Sequence, residues 1–261
     1  VGKHVICEKP FTMNQQDAVE LAKDASAYPG LHIGCCCSRF RYTPMAQAAA
    51  RIVHSGTLGK IHSVRIFSTN NVPVSLDQLP SWKRQAASAG GGMIADWGTY
   101  EIDWLQYVLD KDFQPMEVNA SFNYWNRKGT DMDSGYDLHI RCSHDIDVFV
   151  SRQPEIGPKK NLVEIRGESG GLDLPFAPAG EEDGLRHYAL PDGSNTPEIC
   201  LESKGTSNWS NVLCGPIINL ANAIRQGEAV SSPPKSQVFV HTLLDAIQEA
   251  GRGGKAVQFH F

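Results

Sequence analysis

HVICEKPFTMNQQDAVELAKDASAYPGLHIGCCCSRF, residues 4–40, is the stretch on which the fold turns. It opens with HVICEK, a short β-rich run. Asn14 follows as an N-cap with Asp17 three positions on, a pairing that satisfies the open amides of a first helical turn. Val19, Ala22 and Ala25 then recur at helical spacing until Tyr28-Pro29-Gly30 stops the helix. LHIGCCCSRF is apolar almost throughout, as a strand buried on both faces is. Strand, helix and strand with short loops make one βαβ unit, so the two strands are expected to run parallel. One such unit is too small to be a domain. The chain reads as if it starts partway through a doubly wound fold.

Outward from this unit the pattern changes. Thr43-Pro44 opens a helix with proline at its first position, Ala49, Ile52 and Val53 form its apolar face, and Gly56 ends it. Residues 60–69 alternate as a strand, and a helix is expected after the glycines at 90–92, through Leu109. Residues 117–125, 136–142, 146–152 and 162–174 read as strands, with SHDID and GESGG as turns between them. Consecutive strands of this kind imply an antiparallel sheet with helices confined to one face. Residues 175–210, rich in Pro, Gly and Asn, give little periodicity. Helices at 216–226 and 236–250 and a short strand, AVQFHF, close the chain.

Composition narrows the function classes. A formal net charge of −5 over 261 residues argues against a nucleic-acid surface or a basic membrane patch. No apolar run approaches the roughly 20 residues of a membrane span, and VGKHVICEKP lacks the pattern of a signal peptide. The adjacent Cys35, Cys36 and Cys37, with no paired cysteine spacing elsewhere, point to a buried strand in a reducing, cytoplasmic compartment. His139 and His144, five apart across an alternating region, give no metal geometry, so no metal site is expected. Asn208-Trp-Ser matches a glycosylation pattern without a secretory context.

The chemistry concentrates in GGGMIADWGTY, residues 90–100. Three glycines before a helix suit a phosphate loop, a hinge or a tight backbone approach. The triplet follows the loop PSWKRQAASA and not a strand, and the chain contains no GxGxxG. If Ile94 through Leu109 is helical, Asp96, Tyr100 and Asp103 share one face. That stripe is either a site or the polar side of a half-exposed helix. Lys9, in Glu8-Lys9-Pro10 at the end of the first strand, is either a solvated rim residue or a group at a ligand crevice, since ligands in open parallel sheets bind outside the strands' carboxyl ends. Pro10 fixes the turn and is a candidate for a cis bond. An ammonium near a phenol lowers its pKa, so Lys9 beside Tyr100 would make a usable acid/base.

These residues resemble the glucose–fructose oxidoreductase / inositol dehydrogenase / rhizopine catabolism (Gfo/Idh/MocA) family. The resemblance lies in GKHVICEKPFTMNQQDAVELAKDA, SRFRYTPMAQAAARIVHSGTLGKIHSVRI, WKRQAASAGGGMIADWGTYEIDWLQYVL and LLDAIQEAGRGGKAVQF, in family order. It implies an α/β plus α+β chain. Residues 1–40 would be the remnant of a Rossmann domain binding NAD or NADP. Residues 41–261 would be an α+β domain whose open, mostly antiparallel sheet serves substrate and oligomer contacts, in a dimer or tetramer. By the same resemblance Lys9 contacts the nicotinamide ribose and the reacting hydroxyl, with Glu8 and Pro10 beside it. Asp96 binds substrate, and Trp82-Lys83 stands where the family has a Trp-Arg pair against the nicotinamide. Tyr100 occupies a position where most members carry histidine and a minority carry tyrosine. The family's first strands, bearing GxGxxG, are expected to precede Val1.

The expectation is an oxidoreductase moving a hydride between NAD(P) and a hydroxyl-bearing carbon of a sugar or polyol. Tyr100 would exchange the proton, Lys9 would steady the alkoxide and Asp96 would orient the substrate. The alternatives are a non-catalytic sugar- or cofactor-sensing protein on the same fold, or an inactive N-terminally truncated fragment. Residues 1–40 of the chain made alone are expected to be poorly supported.

Overall fold

The structure is a computed structural model describing residues 2–69, 76–125, 131–154, 159–178, 184–190, 196–204 and 209–259. Asn208 lies outside the described residues. β1 (Val5–Cys7) and β2 (Ile33–Cys35) pair in parallel across α1 (Gln15–Ser26), the expected βαβ unit. Asn14 caps α1 as read, its side chain accepting from the Asp17 amide at 2.9 Å. The second strand is shorter than its apolar run. Cys36–Tyr42 winds into a 3-10 helix, in which Ser38 Oγ donates to the Cys35 carbonyl and Arg39 Nε to that of Cys36. Those side-chain bonds to backbone carbonyls compete with the ladder a longer strand would need.

α2 (Pro44–His54) starts at Thr43, whose hydroxyl accepts from the Ala46 amide. β3 (Ile61–Thr69) leads to a helical linker, a 3-10 turn at Ser81–Arg84 and α3 (Ala86–Ala89), where the sequence suggested a loop. The helix expected from Ile94 is composite: a π segment, Ile94–Gly98, runs into α4 (Thr99–Leu109). Then come β4 (Pro115–Tyr124), β5 (Asp133–Cys142), β6 (Ile146–Gln153), β7 (Asn161–Gly167) and β8 (Gly170–Leu174). Two strands the composition concealed follow, β9 (Gly184–Ala189) and β10 (Glu198–Lys204). α5 (Trp209–Gln226) begins a full two turns before the helix expected there, carrying Pro216 inside it. α6 (Pro234–Gly253) and β11 (Val257–Gln258) finish the described chain.

The large sheet has the order β10-β9-β8-β7-β3-β6-β5-β4-β11 and is antiparallel except at β3 and β6. One face is covered: Ile146, Val148, Val150 and Arg152 of β6 are buried, and the residues between them are not. α2 crosses β8 and β9, α6 lies on β4, and α4 packs against both helices. The other face is open, with Asn119, His139, Phe149, Arg65 and Glu164 in register across five strands.

The first forty residues pack against the end of the chain. α1 packs on α6, and the Cys35 amide donates to the Ser232 carbonyl. Arg41 makes a two-pronged bond to the buried Asp103 at 2.6 and 2.7 Å and donates to the Ser231 carbonyl. The closing helices thus return to the opening unit, a long-range contact that local pattern does not reveal. Asp103 belongs to this clamp and not to the polar stripe expected with Asp96 and Tyr100.

Candidate active site

The parallel pairing of β1 and β2 places the Glu8-Lys9-Pro10 turn at their carboxyl edge, and the Lys9–Pro10 peptide is cis. Lys9 reaches across to the π segment. Its Nζ donates to the Asp96 carbonyl at 2.6 Å and to Asp96 Oδ1. Lys83, from the 3-10 turn, donates to Asp96 Oδ2 at 3.0 Å. Burial raises the Asp96 carboxyl, but the two ammonium groups outweigh it and hold the pKa below the usual carboxylate range. Burial lowers the Lys9 pKa, and the Asp96 charge offsets only part of that.

A cavity of about 400 Å³ opens on this pair, lined by Glu8, Lys9, Pro10, Trp82, Lys83 and Asp96. All the residues assigned to the cofactor by resemblance therefore border one space. Trp82 is 55% exposed, with Lys83 Nζ 5.2 Å from its ring centre. Glu8 accepts from Arg39 Nη2 at 2.9 Å, a partner hidden from sequence reading inside an apolar run.

Tyr100 is placed differently from the expectation. It is 5% exposed and lines neither this cavity nor a second one, of about 500 Å³, that shares Asp96 with it. Lys9 Nζ stands 4.7 Å from the centre of its ring, which packs edge-on to Phe40 at 5.0 Å. Burial raises the phenol's pKa, with Arg39 pulling the other way. The expected depression by Lys9 does not occur, because that ammonium faces the ring and is held by Asp96.

The glycines are explained by a residue that sequence reasoning missed. Asp133, at the start of β5, accepts from the Gly92 amide at 2.9 Å and the Ile94 amide at 2.8 Å. A Cβ on Gly92 would lie 2.0 Å from the Asp133 carbonyl oxygen, so only glycine fits. Gly90 and Gly91 take φ of +79° and +146°. The triplet is a tight approach to the sheet, and it also walls the cavity. Burial pushes the Asp133 carboxyl up to about 6 despite the two backbone donors. Nothing in the spacing of Asp133 from the triplet announced the contact, since it spans 41 residues.

Elsewhere, His139 stacks on Phe149 on the open face and bonds Asp147 at 2.6 Å. His144 sits in the β5–β6 turn at a φ of +61°. Among the described residues no group of three or more His, Cys, Asp or Glu could hold a metal ion. No helix among them is long and apolar enough to cross a membrane.

The profile of the GFO/IDH/MocA C-terminal domain matches residues 46–173. Residues 46–173 are thus a GFO/IDH/MocA C-terminal domain. Relatives of the chain include 1,5-anhydro-D-fructose reductase of Ensifer adhaerens, 27% identical over 66% of this chain and 49% of that protein. Levoglucosan dehydrogenase of Pseudarthrobacter phenanthrenivorans is 27% identical over 48% of this chain and 30% of its own length. The chain thus spans half or less of the length of these two relatives. A solved levoglucosan dehydrogenase in complex with NADH and levoglucosan superimposes with a TM-score of 0.85 at 21% identity, over 98% of this chain and 74% of that one. That likeness establishes the shared GFO/IDH/MocA fold, the mixed open sheet with its covering helices.

Proposed function

We propose that this chain serves as an NAD(P)-dependent oxidoreductase, transferring a hydride to or from a hydroxyl-bearing carbon of a sugar or polyol. The observation that carries the reading is the convergence of Lys9 and Lys83 on Asp96, at the wall between two cavities. The relatives named for sugar substrates support the class of reaction, and the relative holding NADH supports the cofactor.

The residues around the smaller cavity suit the nicotinamide end of a dinucleotide: a flat exposed indole at Trp82, the Lys9 and Lys83 ammonium groups, and the Glu8-Lys9-Pro10 turn. When bound, that cofactor supplies the hydride exchange. Asp96 orients the substrate hydroxyl by accepting its hydrogen bond. Lys9, whose pKa burial lowers, exchanges the hydroxyl proton at Nζ, the group it holds against Asp96. Tyr100 lies beneath Lys9 and holds the ammonium over its ring, a positioning role for the phenol. We place the protein in a reducing, cytoplasmic setting and expect a homo-oligomer, a dimer or tetramer, built through the open sheet face.

The test is turnover with NAD+ and NADP+ against a panel of sugars and polyols, repeated with Lys9→Met. The variant should lose roughly 10²–10⁴ in kcat while sugar binding persists. Undiminished turnover in Lys9→Met would overturn the mechanism. Sugar binding with no turnover by the unaltered chain would favour the sensing alternative.

A further inference from the structure

Asp133 is a carboxylate that the mechanism above does not use, although it stands within the site. It is 3% exposed, begins β5 and lines the same cavity as Lys9, Lys83 and Asp96. Each of its oxygens is taken by a different backbone amide: Oδ1 accepts from Gly92 at 2.9 Å and Oδ2 from Ile94 at 2.8 Å. An ionised carboxylate accepts at both positions. A protonated carboxyl, or the amide of asparagine, would turn a donor toward one of the two N–H groups and leave it buried without an acceptor.

The two amides belong to the backbone that carries the reacting groups. Gly92, whose amide Asp133 holds, accepts at its carbonyl from the Asp96 amide at 3.1 Å. The Asp96 carbonyl in turn accepts from Lys9 Nζ at 2.6 Å, and Lys83 donates to the Asp96 carboxylate at 3.0 Å. Asp133, Gly92, Asp96 and Lys9 are thus linked in series. The start of this segment has no side chains of its own to hold it, since residues 90–92 are all glycine and Gly90 and Gly91 take positive φ. Gln248 of α6 holds the Gly90 carbonyl at 3.2 Å, ahead of the residues that Asp133 holds.

We infer that Asp133 is a positioning residue of the candidate site: its ionised carboxylate, acting through the amides of Gly92 and Ile94, holds Asp96 where Lys9 and Lys83 meet it, and protonation of that carboxylate loosens the meeting. The reacting roles of Asp96 and Lys9 rest on the oxidoreductase reading; the coupling between the two carboxylates does not. Burial raises the Asp133 pKa to about 6 against the pull of its backbone donors, which brings the loosening within an ordinary pH range. The ionisable groups around it are Glu8, Lys9, Lys83 and Asp96 in the shared cavity and Tyr124 across from it on β4, while α6 contributes the neutral Gln248. Asp96, held below the usual carboxylate range, stays ionised as Asp133 titrates.

NMR of the isotope-labelled 261-residue chain, titrated from about pH 8 to 5, tests the coupling without requiring hydride transfer. The Asp133 carboxyl carbon gives the midpoint. The amides of Gly92, Ile94 and Asp96 and the Lys9 ε-carbon should shift at that same midpoint, and these steps should vanish in Asp133→Asn. In that variant the Asp96 carboxyl, no longer held against the two ammonium groups, should titrate at a higher pH than in the unaltered chain. Its kcat should fall on the order of 10²-fold, and the matching inflection should leave the acidic limb of the pH profile. Should Asp133→Asn fail to fold, the titration of the unaltered chain carries the test by itself. Steps confined to Gly92 and Ile94, no step at any of these groups, an Asp96 carboxyl unmoved in the variant, or an unchanged acidic limb overturns the inference. Coupled steps with no turnover under any NAD(P) condition support the coupling and sink the oxidoreductase reading alone.

Discussion

Tyr100 shows how far a single side chain can be read from its neighbours in sequence. The spacing brought Asp96, Tyr100 and Lys9 into one hypothesis, and the three do meet. What sequence could not supply was which atoms face each other. Lys9 turns its ammonium to Asp96 and the ring of Tyr100, while burial raises the phenol's pKa. The two readings of Tyr100 separate cleanly in Tyr100→Phe, which keeps the ring and removes the hydroxyl. If the ring positions Lys9, kcat should fall less than about tenfold, and the acidic limb of the pH profile should stay where it was. A loss of 10² or more would instead return the phenol to the role of acid/base. Lys9, Lys83, Asp96 and Trp82 were readable as candidates through the family-like motifs they stand in. Arg39 and Asp133 were not, since their partners stand far away in the chain and only the fold joins them.

At the scale of elements, the informative failures came from special backbone. The π segment Ile94–Gly98 breaks the i, i+4 alignment that a regular helix would give Asp96 and Tyr100, as such segments do at functional sites. Pro216 hid the first turns of α5, because an interior proline ordinarily ends a helix. β9 and β10 were hidden by the Pro- and Gly-rich composition around them. The alternating strands β3 to β8 were legible because each buries one face against helices, which imposes period two. Gly92 is where an element depends most on a single residue. Gly92→Ala should push the π segment off Asp133, and a clash of that depth in a buried site costs about 2 kcal/mol or more. Chemical denaturation should show a lowered midpoint, and cofactor binding at the adjoining cavity should weaken beyond the loss of folded protein.

The whole molecule is closed by α6, which returns to the first residues of the chain. His241, 2% exposed on that helix, accepts from the Thr12 amide at 3.3 Å, which requires its neutral form. Burial lowers its pKa to about 4, against a small opposing pull from Asp17. With a folded pKa below the ordinary 6.5, the unfolded chain takes up the proton first, so this contribution to stability is full above pH 7 and lost as pH falls toward 4. Between pH 7 and 5 the loss from His241 should be about 2 kcal/mol. Asp133, raised to about 6, acts in the opposite sense over part of the same range, its ionised form being the one the fold disfavours. Denaturation of the unaltered chain and of His241→Gln at both pH values isolates the histidine. The difference between their pH slopes should have that size, and parallel slopes would show that His241 titrates normally. One further consequence follows from Asp96 standing in the wall common to both cavities, with Lys9 and Lys83 on its two oxygens. Occupants of the two spaces cannot be thermodynamically independent, because each meets the same carboxylate and alters its hydrogen bonds. Whichever ligand arrives first rescales the affinity of the other, and linkage obliges the second to return the same factor. A binding constant measured for either alone is therefore only one edge of a four-sided cycle.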